Sequence, residues 1–141
     1  MFFIVPALGV VVAVDGTLCH RKGPQIFGVG MHHDAAAGTY GGARGRHVAF
    51  ACGHSWVVLS IWVPLPWGEG RGIAVPILLR LYRAKRRCPK GEYRKRTEHA
   101  AEMLRVLLGW LPTGRTLNPA GDREYGCQKV IRGLGPRVTP L

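Results

Sequence analysis

Two aspartates are the residues of this chain best placed to do chemistry. Asp15 ends the apolar run Val10-Val11-Val12-Ala13-Val14, and Asp122 follows a second short run, Leu117-Asn118-Pro119-Ala120-Gly121. A carboxylate at the end of a buried strand is costly unless it is paired, hydrogen-bonded or bound to a metal. Two such acids, from strands far apart in sequence but adjacent in one sheet, would hold a divalent cation. Their hard oxygens suit Mg²⁺ or Mn²⁺. Two such ions about 3.5–4 Å apart can activate a nucleophile and steady the leaving oxygen of a phosphodiester. The plainer reading makes each Asp a turn or helix-cap residue after a strand. Spacing alone leaves both readings open.

The charge balance points to a polyanionic partner. The 141 residues carry 20 Lys and Arg against 8 acids, a net charge of +12. Such a field favours nucleic acid, an anionic membrane or another acidic partner, with nucleic acid first. Nine of the cations lie in residues 80–96: Arg80, Arg83, Lys85, Arg86, Arg87, Lys90, Arg94, Lys95 and Arg96. Glu92 is the one acid among them, and Cys88-Pro89-Lys90-Gly91 makes the centre a loop. These side chains either contact phosphates, which makes binding steeply salt-dependent, or form a solvated basic loop. Trp56, Trp62 and Trp110 are expected in the core. Trp67, in a turn, is the tryptophan expected to be exposed and able to stack on a base.

The other candidate chemistry is weaker. His32-His33-Asp34, His47 and Cys52-Gly53-His54 contain zinc-ligand types without the tight paired spacing of a zinc site; His32 and His54 read better as hydrogen-bonded structural or site-rim residues. Cys19, Cys52, Cys88 and Cys127 are widely spaced with no Cys-x-x-Cys pair, which fits free thiols in a reducing cytoplasm. Residues 1–14 are uncharged. A signal peptide is one reading of them, but no basic residue follows Met1 and the run is short of the roughly 20 residues of a spanning helix. The better reading is a ragged leader, 1–9, before a buried strand, with no membrane span.

A hydrophobic content of 47% is enough for one domain with a real core. Strands are expected over 9–16, 55–63 and 73–82. Residues 64–72 should turn between the last two, and Pro76 implies an edge, a bulge or a break. Residues 17–46 read as Gly-rich and irregular, with a short strand near 25–31 and a flexible loop at 38–46. The stripe Ala100, Met103, Leu104, Leu107, Leu108, Leu111 predicts a helix over 97–111, capped by Thr97 and stopped by Gly109 and Pro112. A weak strand at 115–121, a helix over 123–132 ended by Gly133, and the start of a strand at 137–139 complete the order. Strands alternating with helices in the second half predict an α/β mixed sheet covered by helices.

Five segments in order carry a resemblance: Val12-Ala13-Val14-Asp15-Gly16-Thr17, Phe27-Gly28-Val29-Gly30-Met31-His32-His33-Asp34, Gly53-His54-Ser55-Trp56-Val57-Val58-Leu59, Pro76-Ile77-Leu78-Leu79-Arg80-Leu81-Tyr82 and Gly121-Asp122-Arg123-Glu124-Tyr125. Together, over about residues 10–138, they resemble the catalytic core of a DDE transposase from a bacterial insertion sequence. The resemblance implies a ribonuclease-H-like mixed sheet flanked by helices, incomplete at both ends. It also implies Mg²⁺-dependent (or Mn²⁺-dependent) DNA cleavage and strand transfer, with transposon ends and target DNA as partners and homo-oligomeric assembly. Asp15 matches the family's first acid and Asp122 its second, each a catalytic metal ligand.

Three departures qualify this. The family's third acid lies on a helix after the fifth strand, its DNA-recognition region precedes the first strand, and its second acid follows an uninterrupted apolar strand. The resulting expectation, with residues 10–141 as a partial catalytic domain, is a truncated and inactive transposase core. The alternatives are a non-enzymatic basic DNA-binding remnant and a chain that does not fold stably because a sheet edge and face stay uncovered.

Overall fold

Apolar alternation along three long segments builds the sheet, and one amphipathic helix covers it. A computed structural model describes residues 9–23, 25–34, 49–122, 124–125 and 128–139. The elements are β1 (Gly9–His20), β2 (Gly30–His33), β3 (Phe50–Pro64), β4 (Gly72–Tyr82), α1 (Arg96–Trp110), β5 (Thr116–Gly121) and the one-turn α2 (Gln128–Ile131). The five strands form one mixed sheet in the order β2-β3-β1-β5, with β4 also paired to β3. The class is therefore α/β as expected, with one long helix among the described residues where two helices were expected. The expected leader (1–9) falls outside the described residues except for Gly9, and the loop at 38–46 lies wholly outside them.

The chain divides into two compact units, and β1, β3 and β4 each contribute to both. The first takes β1 up to Asp15, Val57–Arg80 and everything from Lys95 on. Its core joins Val12 and Val14 of β1, Val57 and Leu59 of β3, and Leu117 of β5 to the buried face of α1, which is Ala100, Ala101, Met103, Leu104 and Leu107. Tyr125, Val130, Leu134 and Val138 close it. The predicted stripe on α1 is thus its buried face. Its start differs from expectation: the helix begins at Arg96, and the Glu98 carboxylate accepts from the Lys95 backbone N–H at 2.7 Å, so Thr97 is not the cap. A glutamate at the third helical position satisfies one of the open N–H groups better than Thr97 can from inside the first turn.

The tryptophans are a second correction. Trp62 and Trp110 are 42% and 62% exposed, and Trp56 is half-buried. Trp62 alternates with the partly buried Ile61, so strand period puts it on the opposite face, against Gly72 of β4. Pro76 is exposed on β4, which pairs with β3 alone, the edge position its missing N–H demands. The turn at 64–72 is as expected, closed by the Leu65 N–H donating to the Arg71 carbonyl at 2.9 Å.

β5 is the short strand interrupted by Asn118 and Pro119. It survives because it is bracketed. On one side it runs parallel to β1, from Gly9 against Thr116 to Val14 against Gly121. On the other, Leu117 accepts from Thr139 at 2.9 Å and donates to Arg137 at 2.7 Å, and the Asn118 amide donates to the Thr139 carbonyl at 3.2 Å. Alternate strand residues turn their backbone groups to alternate neighbours, so Pro119 shares the side of Leu117 and costs β1 no hydrogen bond. The expected strand start at 137–139 is a parallel bridge, Leu117 to Val138. Of the expected helix over 123–132, residues 124–125 form a turn and Gln128–Ile131 form α2, before a Gly133 at φ +84°, while residues 123, 126 and 127 lie outside the described residues.

The second unit comprises Gly16–Trp56 and Leu81–Arg94. β1 continues through it to His20 instead of ending at Gly16, and the Arg21 N–H donates to the Cys52 carbonyl at 3.0 Å. The strand expected near 25–31 is a turn followed by β2, whose Gly30 to His33 pair antiparallel with Gly53 to Phe50. Gly53 packs against the Cys19 backbone, where a Cβ would collide with the carbonyl. Burial of α1 against the sheet dominates stability in the first unit. Leu104→Ala is expected to cost about 2–5 kcal/mol, against about 0.5 kcal/mol or less for the exposed Leu79→Ala, both measured by urea unfolding.

Candidate functional site

The register of β1 and β5 ends just before the two acids. Val14 and Gly121 are the last paired residues; Asp15 follows inside β1, and Asp122 is the first residue past β5. Neighbouring strands lie about 4.8 Å apart, and cross-strand neighbours share a face. That face carries Ala13 opposite Ala120 one pair earlier, so only small side chains precede the acids. Both carboxylates are exposed. The strands expected to be neighbours are paired, with Asp122 one residue past β5, whereas the expected burial of the acids is not found. Asp15 lies inside β1, at the point where burial along the strand ends. Solvent removes most of the desolvation cost that would have demanded a partner.

Asp122 also does what the plainer reading requires. Its Oδ1 accepts from the backbone N–H of Glu124 at 2.9 Å and of Tyr125 at 3.2 Å. A short acidic side chain fits that role because it reaches the two N–H groups just ahead of it. The two bonds fix the turn that leads Tyr125 into the core. Glu124 pairs with Arg96 at 3.7 Å, at the start of α1. Among the described residues no three His, Cys, Asp or Glu side chains stand close enough to hold one metal ion. The pair Asp15 and Asp122 thus has the donor chemistry for a hard cation and few ligands to hold it. Of the zinc alternative, His32, His33, Asp34, Cys52 and His54 form no such cluster among the described residues, and His47 lies outside them. His32 is buried, and His54 Nε2 donates to the Phe27 carbonyl at 2.9 Å, so both fit the structural reading. Cys19, Cys52 and Cys88 are free thiols, while Cys127 lies outside the described residues.

Tyr125 senses the acids directly. It is 3% exposed, and its hydroxyl has no hydrogen-bond partner among the described residues. Its pKa is pushed up to about 12, first by burial and then by the charge of Glu124; Asp122 and Asp15 add to the rise and Arg96 opposes it. Its position just after Asp122 was a motif signal, but nothing in the sequence marks it as the buried phenol beside the acids.

The basic segment divides by role. Arg80 is held by Glu102 of α1 at 3.3 Å and Arg96 by Glu124, both half-buried. In the second unit, Arg83 pairs with Glu92 at 3.1 Å, and Arg87 Nη1 donates to the Val29 carbonyl at 2.6 Å. Lys85, Arg86 and Arg87 form a 3-10 turn with exposed side chains, and Lys90, Arg94 and Lys95 are exposed as well. Part of the segment therefore braces the fold while the rest faces solvent. Trp67 is 82% exposed in its turn, as expected, beside Glu69 and Arg71.

The buried, unpaired phenol generates a pH prediction. Tyrosine ionises near 10 in the unfolded chain and near 12 in the folded one, so the unfolded state loses its proton first and stability falls as pH rises from about 10 toward 12. Tyr125→Phe removes that fall. It also relieves an uncompensated hydroxyl, so the variant is expected to be at least as stable as the parent at pH 7, by up to about 1 kcal/mol, in urea unfolding. No family model matches the chain, and no curated protein or solved structure matches it.

Proposed function

We propose that this chain is a catalytic core of the DDE transposase kind, built on a ribonuclease-H-like sheet, in which Asp15 and Asp122 form a two-carboxylate centre for Mg²⁺ or Mn²⁺ and DNA is the substrate. One observation supports the reading: β1 pairs in parallel with β5, and Asp15 and Asp122 each follow the last pair, Val14 and Gly121. Three further features support it. A parallel strand follows the long helix and lies beside β1, which agrees with a ribonuclease-H-like core. The net charge of +12 suits a polyanion. Exposed Lys85, Arg86, Lys90 and Lys95 present cations that suit phosphates.

The residues fit a hard divalent cation in donor type, through the Asp15 and Asp122 oxygens. Bound there, the ion would supply Lewis acidity and charge neutralisation at a phosphodiester. The chain's own contribution is positional. β1 carries Asp15, β5 leads into Asp122, and the Oδ1 bonds to Glu124 and Tyr125 fix Asp122 against its own turn. With only two carboxylates, the centre by itself binds the ion weakly, and cleavage waits on a further ligand. Mn²⁺ titration should show weak binding in the parent chain that disappears in Asp15→Ala and Asp122→Ala. Supercoiled plasmid with Mg²⁺ should stay intact. Metal-dependent nicking that vanishes in both variants would overturn the proposed inactivity of the isolated chain.

A second reading, a non-enzymatic basic DNA-binding protein, is favoured by the capping role of Asp122, which explains that residue without any metal. It is distinguished by duplex binding that weakens steeply with salt and is unchanged in both Asp→Ala variants, with no Mn²⁺ binding in the parent.

A further inference from the structure

Phe27 presents an apolar ring to solvent on a backbone that cannot retract it. The ring is 74% exposed. Unlike Tyr or Trp, it has no polar tip to justify exposure. Four contacts hold the segment in place. His54 donates to the Phe27 carbonyl at 2.9 Å, the Val29 N–H donates to the Ile26 carbonyl at 3.3 Å, and Arg87 donates to the Val29 carbonyl at 2.6 Å. Gly28, at φ +76°, lies so close to Leu81 that a Cβ would meet that side chain. The Arg83 guanidinium stacks over the Phe27 ring at 5.2 Å from its centroid. A cleft of about 370 Å³ opens here, lined by Gln25, Ile26, Phe27, Gly28, Arg83 and Arg87. Its volume falls at the lower end of the roughly 300–1,000 Å³ range of small-ligand sites. All of these residues belong to the second unit.

We propose that this cleft binds one unpaired nucleotide of a single DNA strand, its base stacked on Phe27 and Arg83 and its phosphates met by Arg87 and Arg86. An aromatic face beside guanidinium groups is the combination that recognises an unstacked base on a charged backbone, with little sequence preference. Duplex DNA keeps its base faces stacked on one another and cannot fill such a cleft without unpairing. Trp67 is a poorer platform, because the acidic Glu69 shares its turn. The site lies apart from Asp15 and Asp122 in sequence and in chemistry, and it does not depend on the cleavage reading.

The test is fluorescence anisotropy on the full chain at one moderate salt concentration. The probes are a 16-nucleotide oligothymidylate, a duplex of the same length and an abasic strand of the same length. Oligothymidylate is expected to bind more tightly than the abasic strand. Phe27→Ala should weaken oligothymidylate about tenfold, within the range of roughly five- to hundredfold for one stacked base, and leave the abasic strand unchanged. Phe27→Trp should retain binding and lose indole emission on adding oligothymidylate. Thermal melts of both variants check the fold, which an exposed side chain should not disturb. Equal binding of oligothymidylate and the abasic strand, or a Phe27→Ala loss of equal size on both, would overturn the cleft. So would a preference for the duplex, or binding confined to free thymidine monophosphate. Metal-dependent effects of Asp15→Ala and Asp122→Ala can persist when the cleft fails, so the two readings fail separately.

Discussion

The parallel pairing of β1 with β5 beneath α1 is the constraint on which the first unit depends. Val12, Val14 and Leu117 reach the core only in this register, and the same register ends just before Asp15 and Asp122. A slip of one residue would turn the apolar set outward and the acids inward, because side chains alternate faces with period two. Core packing and the candidate centre are therefore consequences of one alignment. β5 contributes little by itself. Its alignment is secured by β1 on one side and by the Arg137 and Thr139 hydrogen bonds to Leu117 on the other.

Asp122 has a structural role of its own beside the chemistry proposed for it. It ties down the turn that delivers Tyr125 to the core, yet it stands exposed, as does Asp15. Exposure makes the carboxylates cheap to keep charged and accessible to a cation. The same exposure removes the low-dielectric surroundings that strengthen such sites. Burial first, and then the charges of Glu124, Asp122 and Asp15, keep the Tyr125 phenol neutral over the ordinary pH range.

Positive charge is likewise shared between two tasks. Arg80 and Arg96 brace α1 and its surroundings through Glu102 and Glu124. Arg83 and Arg87 shape the Phe27 cleft, while Lys85, Arg86, Lys90, Arg94 and Lys95 face outward. A basic run in sequence looks uniform because charge says nothing about direction. Acids from other elements decide which members turn inward. Glu102 and Glu124 lie well outside the run itself.

Local chemistry in the sequence was enough for residues 55–63 of β3, though not for its start at Phe50, and for β4, the turn between them and the buried face of α1. Alternation, a Pro/Gly cluster and a helical stripe are each written in neighbouring residues. That Asp15 and Asp122 each follow an apolar run was legible too. Only the tertiary structure decided that β5, with Asn118 and Pro119, survives as a strand, since its hydrogen bonds come from residues on both sides of it. It alone decided that β1 runs past Asp15 to His20, that Trp62 and Trp110 are exposed, and that the acids are too. Which face of a strand or helix meets a cover depends on elements that arrive from elsewhere in the chain. Phe27 is the plainest case: an isolated apolar residue reads as core until His54, Leu81 and Arg87 are seen to hold it at the surface.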